Sequence, residues 1–226
     1  MIALRRVAVP ALLAIIAVLF LIVNRGVYRS YFQDDDLDTL GWTWTIPPSQ
    51  YARAVVSLEY SPDSLRPVGH FFYRVMEAAA GLQFPLWAAA LQALHLINAA
   101  LVWLMFRQLG LSPAAALGGL VVFLFHPAAF DAYWRPMFVF DVLCATFSLA
   151  CVILYARRRW VLSFIAFWLA YRCKELAVAV PAVLLLYEFT YGDRRPLRLV
   201  PFALASVSFA VQAVLGNRAA APPPEY

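Results

Sequence analysis

Seven stretches of this chain, Val7–Val23, Phe84–Phe106, Pro113–Phe125, Phe138–Ala156, Trp160–Tyr171, Leu176–Tyr191 and Leu199–Leu215, carry only two charged residues between them, Asp141 and Glu188. In a bilayer core no water is present to bond the backbone, so such segments satisfy their amides and carbonyls within helices. Composition agrees: 64% of the 226 residues are hydrophobic and 14% charged, with a mean hydropathy of +0.73, whereas a soluble domain is about half apolar and a quarter charged. A spanning helix needs about 20 apolar residues. The stretches therefore predict an all-α, polytopic integral membrane protein of about seven spans, the third, fifth and sixth being short. Arg5 and Arg6 precede the first stretch as in a secretory signal, but it is longer than a signal core of about 7–15 residues and no small-residue cleavage site follows it. A retained helix is expected.

Short cytoplasmic loops are rich in Arg and Lys. Arg5 and Arg6, Arg107, the run Arg157–Arg159, and Arg194, Arg195 and Arg198 fall at every second boundary. The expected orientation therefore has a cytoplasmic N-terminus and an outer C-terminus. Arg25 and Arg29 run against it, at the start of a segment long enough to weaken the rule. Most carboxylates then collect on the outer face: Asp34, Asp35, Asp36, Asp38, Glu59, Asp63, Glu77, Asp131, Glu175 and Glu225, with Asp141 just inside the next span. The net charge of +5 rests on arginine, since Lys174 is the sole lysine; nucleic-acid binding is not expected. Cys144, Cys151 and Cys173 have neither disulfide nor zinc spacing.

Residues 1–218 are expected to form one transmembrane unit, followed by a proline-rich tail over 219–226. The first outer loop, residues 24–83, is too long for a bare connector and is rich in aromatic residues suited to the membrane interface. Within it, Pro48–Leu58 and Pro67–Ala80 predict short helices lying on the membrane.

Several groups carry candidate chemistry, each beside a plainer role. The run Asp34-Asp35-Asp36 packs like charges just outside a span, which raises carboxyl pKa values and attracts cations; it would also cap a helix. Arg66-Pro67, with His70 and Arg74 following, puts guanidinium groups at a helix start, where they fit phosphate oxygens or anchor the helix to lipid. His95 and Asn98 share a helix face inside a span, where polar groups line a cavity or bond between helices. His126-Pro127, Asp131 and Arg135 lie in one outer turn. Lys174 stands beside Glu175, as a phosphate-binding ammonium or an ion pair. Deep polar residues are few (Gln92, His95, Asn98, Gln212), which argues against a channel or transporter.

Taken in order, these motifs resemble the GT-C superfamily of membrane glycosyltransferases, and most closely the O-mannosyltransferases that carry tetratricopeptide repeats. The family's acidic pair in the first outer loop is matched by Asp34-Asp35-Asp36, and its Arg-Pro before an amphipathic helix by Arg66-Pro67. Its His-x-x-Asn is matched by His95-Leu96-Ile97-Asn98, and its His-Pro with an acid five residues on by His126-Pro127 and Asp131. A further acid at the start of a span corresponds to Asp141, and a Lys-Glu step to Lys174-Glu175. The likeness runs from about residue 30 to 190. It departs at Val139, where the family usually has arginine, and in the family's additional spans and outer soluble domain. The chain therefore resembles the shared seven-helix module, shortened.

The resemblance implies transfer of a sugar from a polyprenyl-phosphate donor to a hydroxyl of a protein or glycan on the outer face. Asp35 would be the general base, with Asp34 or Asp36 orienting it. Arg66, Lys174 and Arg135 would bind the donor phosphate, with Asp131, Glu175, His126, Asp141 and His95 in support. Some members of the superfamily use a divalent metal ion, which Asp34 and Asp36 would help to hold here, and others do not. A membrane partner would supply the missing helices. The alternative from another class is a non-catalytic protein of this fold that binds polyprenyl phosphate or stabilises a partner.

Overall fold

The computed structural model describes residues 2–33, 35–58 and 66–219, and among these every regular element is helical. The α-helices are α1 (Ile2–Val23), α2 (Asp35–Thr43), α3 (Pro48–Val56), α4 (Pro67–Ala80), α5 (Phe84–Gln108), α6 (Pro113–Phe125), α7 (Val139–Ala156), α8 (Trp160–Cys173), α9 (Val180–Thr190) and α10 (Val200–Ala219), joined in places by 3-10 turns. Prolines set the starts of α3, α4 and α6, where a missing N–H costs nothing and a fixed φ suits the helix. The Ser112 hydroxyl accepts from the Ala115 N–H at 3.2 Å and caps α6. Gly81 and Gly110, at φ 54° and 83°, close α4 and α5 in a backbone region that glycine enters without a β-carbon clash.

Each of the seven apolar stretches forms a helix, but they differ in reach. Three segments, Val9–Arg29, Phe84–Gln108 and Pro136–Ala156, are long and apolar enough to cross a membrane. A fourth is added if Pro113–Phe125 and Pro127–Tyr133, bent by 52°, count as one span. That bend sits at His126, whose backbone is extended (φ −68°, ψ 126°), as a residue before proline prefers. With 14 residues, α8 is about 21 Å long, short of a hydrocarbon core of about 30 Å. By length and composition, three helices among the described residues, or four with the bent pair, are able to cross a membrane.

The core is built on α7, which packs against α5 and α8. Trp87, Leu91, Val139, Phe140, Phe167, Leu184, Phe202 and Phe209 are buried in it. A second cluster, Phe20, Ala99, Leu120, Leu124 and Tyr133, fixes α1 against α5 and α6. Polar bonds tie the segment after α1 to this frame: the Trp134 indole donates to Asn24 Oδ1 (3.2 Å), the Gln92 amide to Asn24 O (3.3 Å) and the Tyr28 hydroxyl to Gln92 Oε1 (2.8 Å). Eighteen residues of α7 extend about 27 Å, and α8 runs back beside it. The two ends of α7 are thus nearly a hydrocarbon-core thickness apart. The candidate site lies at the Val139 end.

Candidate functional site

The site begins with the first turn of α2. Asp36 stands three residues after Gln33, so its Oδ2 accepts from the Gln33 N–H (3.0 Å), one half of a capping box, while the Asp36 N–H donates to Gln33 O (2.9 Å) in a main-chain turn. Its Oδ1 accepts from the Met137 N–H at 2.6 Å and from the Tyr73 hydroxyl at 3.3 Å. Asp36 is 0% exposed and joins α2, α4 and the turn that leads into α7. Burial raises its carboxyl pKa, against the pull of its three donors and of the Arg135 charge. A carboxylate so enclosed does not meet an acceptor hydroxyl; its place is that of a clamp. Asp35, beside it, is exposed. Asp34 lies outside the described residues.

The start of α4 carries the second part. Gly69 lets the helix approach so closely that an added β-carbon would stand 2.1 Å from Phe140 Cδ1. The Phe140 ring packs against His70 (4.8 Å between centroids) and Tyr73 (6.0 Å), and the Arg66 guanidinium lies 5.6 Å from its centroid. His70 Nδ1 is 3.0 Å from the Arg66 backbone nitrogen, positioned to accept from that N–H at the helix start. Burial holds the imidazole down at a pKa of about 4, so at neutral pH it is uncharged.

Four of the residues singled out from the sequence meet here as two ion pairs. Arg66 donates through Nε to Glu175 Oε1 (3.2 Å) and through Nη2 to Glu175 Oε2 (3.1 Å). Lys174 donates from Nζ to both Asp141 oxygens at 2.7 Å. Side-chain exposures of 33% and 39% for the first pair and 26% and 29% for the second leave all four groups open to solvent or a ligand. Lys174 and Glu175 sit in the link after α8, Asp141 in the first turn of α7 and Arg66 at the cap of α4, so three parts of the chain supply two cations and two carboxylates. Arginine forks and a compact ammonium are both good phosphate ligands, and the carboxylates keep them extended.

Arg135 is on the same side, with its guanidinium carbon 5.8 Å from the Phe138 ring centroid. Asp131 is exposed; its backbone carbonyl accepts from the Arg135 N–H at 3.0 Å. His126 is exposed too, and its Nδ1 accepts from the Ala128 N–H at 3.2 Å, a turn-capping role. His95 does not join the cluster. It is buried in the second core, its ring 5.0 Å from Phe123, 4.7 Å from Tyr133 and 5.4 Å from Phe20, and Asn98 bonds between helices, its amide donating to Val142 O at 3.0 Å. Among the described residues no group of three or more His, Cys, Asp or Glu could hold a metal ion. Asp36 has its oxygens committed to N–H and O–H donors, so the described residues do not fit a divalent ion.

An apolar groove of about 550 Å³ adjoins this end of the fold, lined by Val55, Leu58, Trp168, Leu169, Ala205 and Phe209 among others. The Trp168 indole donates to Val55 O at 2.6 Å, holding the end of α3 against α8. Arg172, one turn along α8, lies 4.8 Å from the Trp168 ring and 4.9 Å from the Phe209 ring, and donates to Ser57 O. Arg172, Gly69, Tyr73 and Phe140 are given no part in the site by the sequence reading. For Gly69 and Phe140 the sequence holds no signal, since their closeness is a tertiary fact; Asp36 at the third residue after Gln33 did carry a capping signal. No family model matches the chain, and neither a curated protein nor a solved structure matches it.

Proposed function

We propose that this protein is a GT-C-type membrane module that transfers a sugar from a polyprenyl-phosphate donor to an acceptor hydroxyl on the outer face of a bacterial inner membrane. The observation that carries this reading is the meeting of Arg66, Glu175, Lys174 and Asp141 at one end of the α7–α8 pair, beside an apolar groove. In this reading α1 and α5 to α10 are the seven helices of the module, the shorter ones tilted or reaching partly across, and α2 to α4 lie at the interface. The prenyl tail occupies the groove beside Trp168 and Phe209. The donor phosphate takes over Arg66 and Lys174 from Glu175 and Asp141, exchanging carboxylate for phosphate oxygens.

The acceptor oxygen attacks the anomeric carbon opposite the phosphate and its proton passes to Asp35. The bond from the anomeric carbon to the phosphate oxygen breaks, its electron pair leaving with the phosphate, where Arg66 and Lys174 meet the developing charge. Asp36 positions this loop by clamping α2 to Tyr73 and Met137. The test is sugar transfer from a polyprenyl-phosphate-linked donor. Asp35→Asn should lower kcat about 100-fold or more and leave donor affinity unchanged, the pattern of an interaction made only in the transition state. Unaltered turnover in Asp35→Asn removes this residue as base; a parent that binds the lipid but transfers no sugar favours a non-catalytic binder.

A further inference from the structure

We propose that the opposite end of the α7–α8 pair is a binding site for an anionic phospholipid headgroup, seated between the turn at residues 157–159 and the turn at residues 191–198. Six arginines meet two carboxylates there, and both carboxylates are already committed. Asp193 binds the two turns together, accepting from Arg158 Nη2 at 2.9 Å and from Arg198 Nη1 at 2.8 Å. Glu188, 1% exposed, accepts from the Tyr155 hydroxyl (3.0 Å) and the Arg195 N–H (2.7 Å), with Arg198 Nη1 3.9 Å away. Arg157, Arg159, Arg194 and Arg195 are exposed, and among the described residues none has a carboxylate within ion-pair distance.

The backbone points the same way. Arg158 and Arg194 hold φ of 59° and 58°, while the other left-handed residues, Gly81 and Gly110, are glycines. A side chain in that region is strained, and such strain gathers where a side chain serves a purpose. Here both non-glycine positions are arginines of one rim: Arg158 ends α7, its N–H donating to Tyr155 O, and reaches Asp193, while the Arg194 N–H donates to Glu188 O.

The occupant follows from the flanks. Val161, Tyr191, Val200 and Leu197, the last 82% exposed, stand around the arginines, and Trp160 lies under the Arg198 guanidinium at 4.8 Å. A water-facing surface for an acidic protein would not be ringed by exposed apolar groups, whereas a bilayer interface accommodates both. The arginine fork suits the phosphodiester of an anionic diacyl lipid, and this rim lies about 24 Å along α7 from Asp141, in the other leaflet. The inference is independent of the sugar-transfer reading.

The test uses the full chain in bilayers of equal parts phosphatidylcholine and phosphatidylglycerol, with the lipids retained on purification counted by mass spectrometry. The parent's retained ratio of phosphatidylglycerol to phosphatidylcholine, the measure of enrichment, should stand more than tenfold above the bulk ratio. Combined Arg157→Ala, Arg159→Ala, Arg194→Gly and Arg195→Ala should lower that enrichment about tenfold or more, at about fivefold for each basic group near an anionic leaflet with partial overlap. Arg194→Gly alone relieves backbone strain, so it should unfold no earlier than the parent and still lose several-fold of the enrichment. Arg25→Ala with Arg29→Ala should leave it intact. Equal retention of the two lipids by the parent, or full enrichment in folded Arg194→Gly and in the combined variant, overturns the proposal.

Discussion

Gly69→Ala is a small change with a calculable conflict. The new methyl would stand 2.1 and 2.5 Å from two Phe140 ring carbons, well inside contact distance. Phe140 is buried and held between His70 and Tyr73, so it cannot swing away without giving up that packing. Overpacking of this kind costs about 1–3 kcal/mol, and replacing a helical glycine with alanine returns about 0.5–1 kcal/mol; a net loss of about 1–2 kcal/mol is expected. The assay is unfolding from mixed micelles by sodium dodecyl sulfate, followed by tryptophan fluorescence. Gly118→Ala in α6, with nothing within 4 Å of the added carbon, is the control and should be neutral or stabilising. Phe140→Leu should recover part of the Gly69→Ala loss in the double variant. A Gly69→Ala protein at least as stable as the parent, or a double variant showing simple additivity, would refute the close packing of α4 on α7.

Asp36→Ala removes the acceptor of three donors; at about 1.5–3 kcal/mol per bond to a charged group, offset by the relief of a buried carboxylate, a loss of about 3 kcal/mol is expected in the same unfolding assay, while Asp35→Asn stays within about 0.5 kcal/mol. His70 is held near pKa 4 in the fold against an ordinary 6.5; the unfolded chain binds the extra proton first, so stability is full above pH 6.5 and falls as the pH drops through 4, by about 3 kcal/mol. His70→Gln should flatten that acid slope, and an unchanged slope would place the titration elsewhere. The native cysteines are buried, so single cysteines introduced at Arg158 and Arg195 should resist an impermeant reagent in intact cells while one at Ser61 reacts; the reverse pattern would invert the orientation.

Helix positions were largely legible because proline and apolar runs mark them locally: the helices expected over Pro48–Leu58 and Pro67–Ala80 appear as Pro48–Val56 and Pro67–Ala80. Spanning reach was less so. Trp160–Cys173 and Val180–Thr190 are apolar but short, and whether such a helix crosses depends on its neighbours. At the site, residue types were readable but partners were not. Arg66 and Glu175 are 109 positions apart, and only the packing of α4 beside the α8 end reveals that each cation faces a carboxylate. The three adjacent aspartates look equivalent as a string. Helix geometry turns Asp36 inward and Asp35 outward, a split that follows from their positions in the first turn of α2.

Lipid-phosphate affinity at the Val139 end of the bundle is the decisive quantity, measured as equilibrium binding of a polyprenyl phosphate to the parent and to Arg66→Ala, Lys174→Ala and Asp35→Asn in phosphatidylcholine nanodiscs. The first two variants should each bind roughly tenfold more weakly or worse, the loss of one charge-assisted contact of about 1.5–3 kcal/mol, while Asp35→Asn binds as the parent does. Parent-like affinity in both cation variants would mean that Arg66 and Lys174 serve only their carboxylate partners, and the proposed donor site would be wrong.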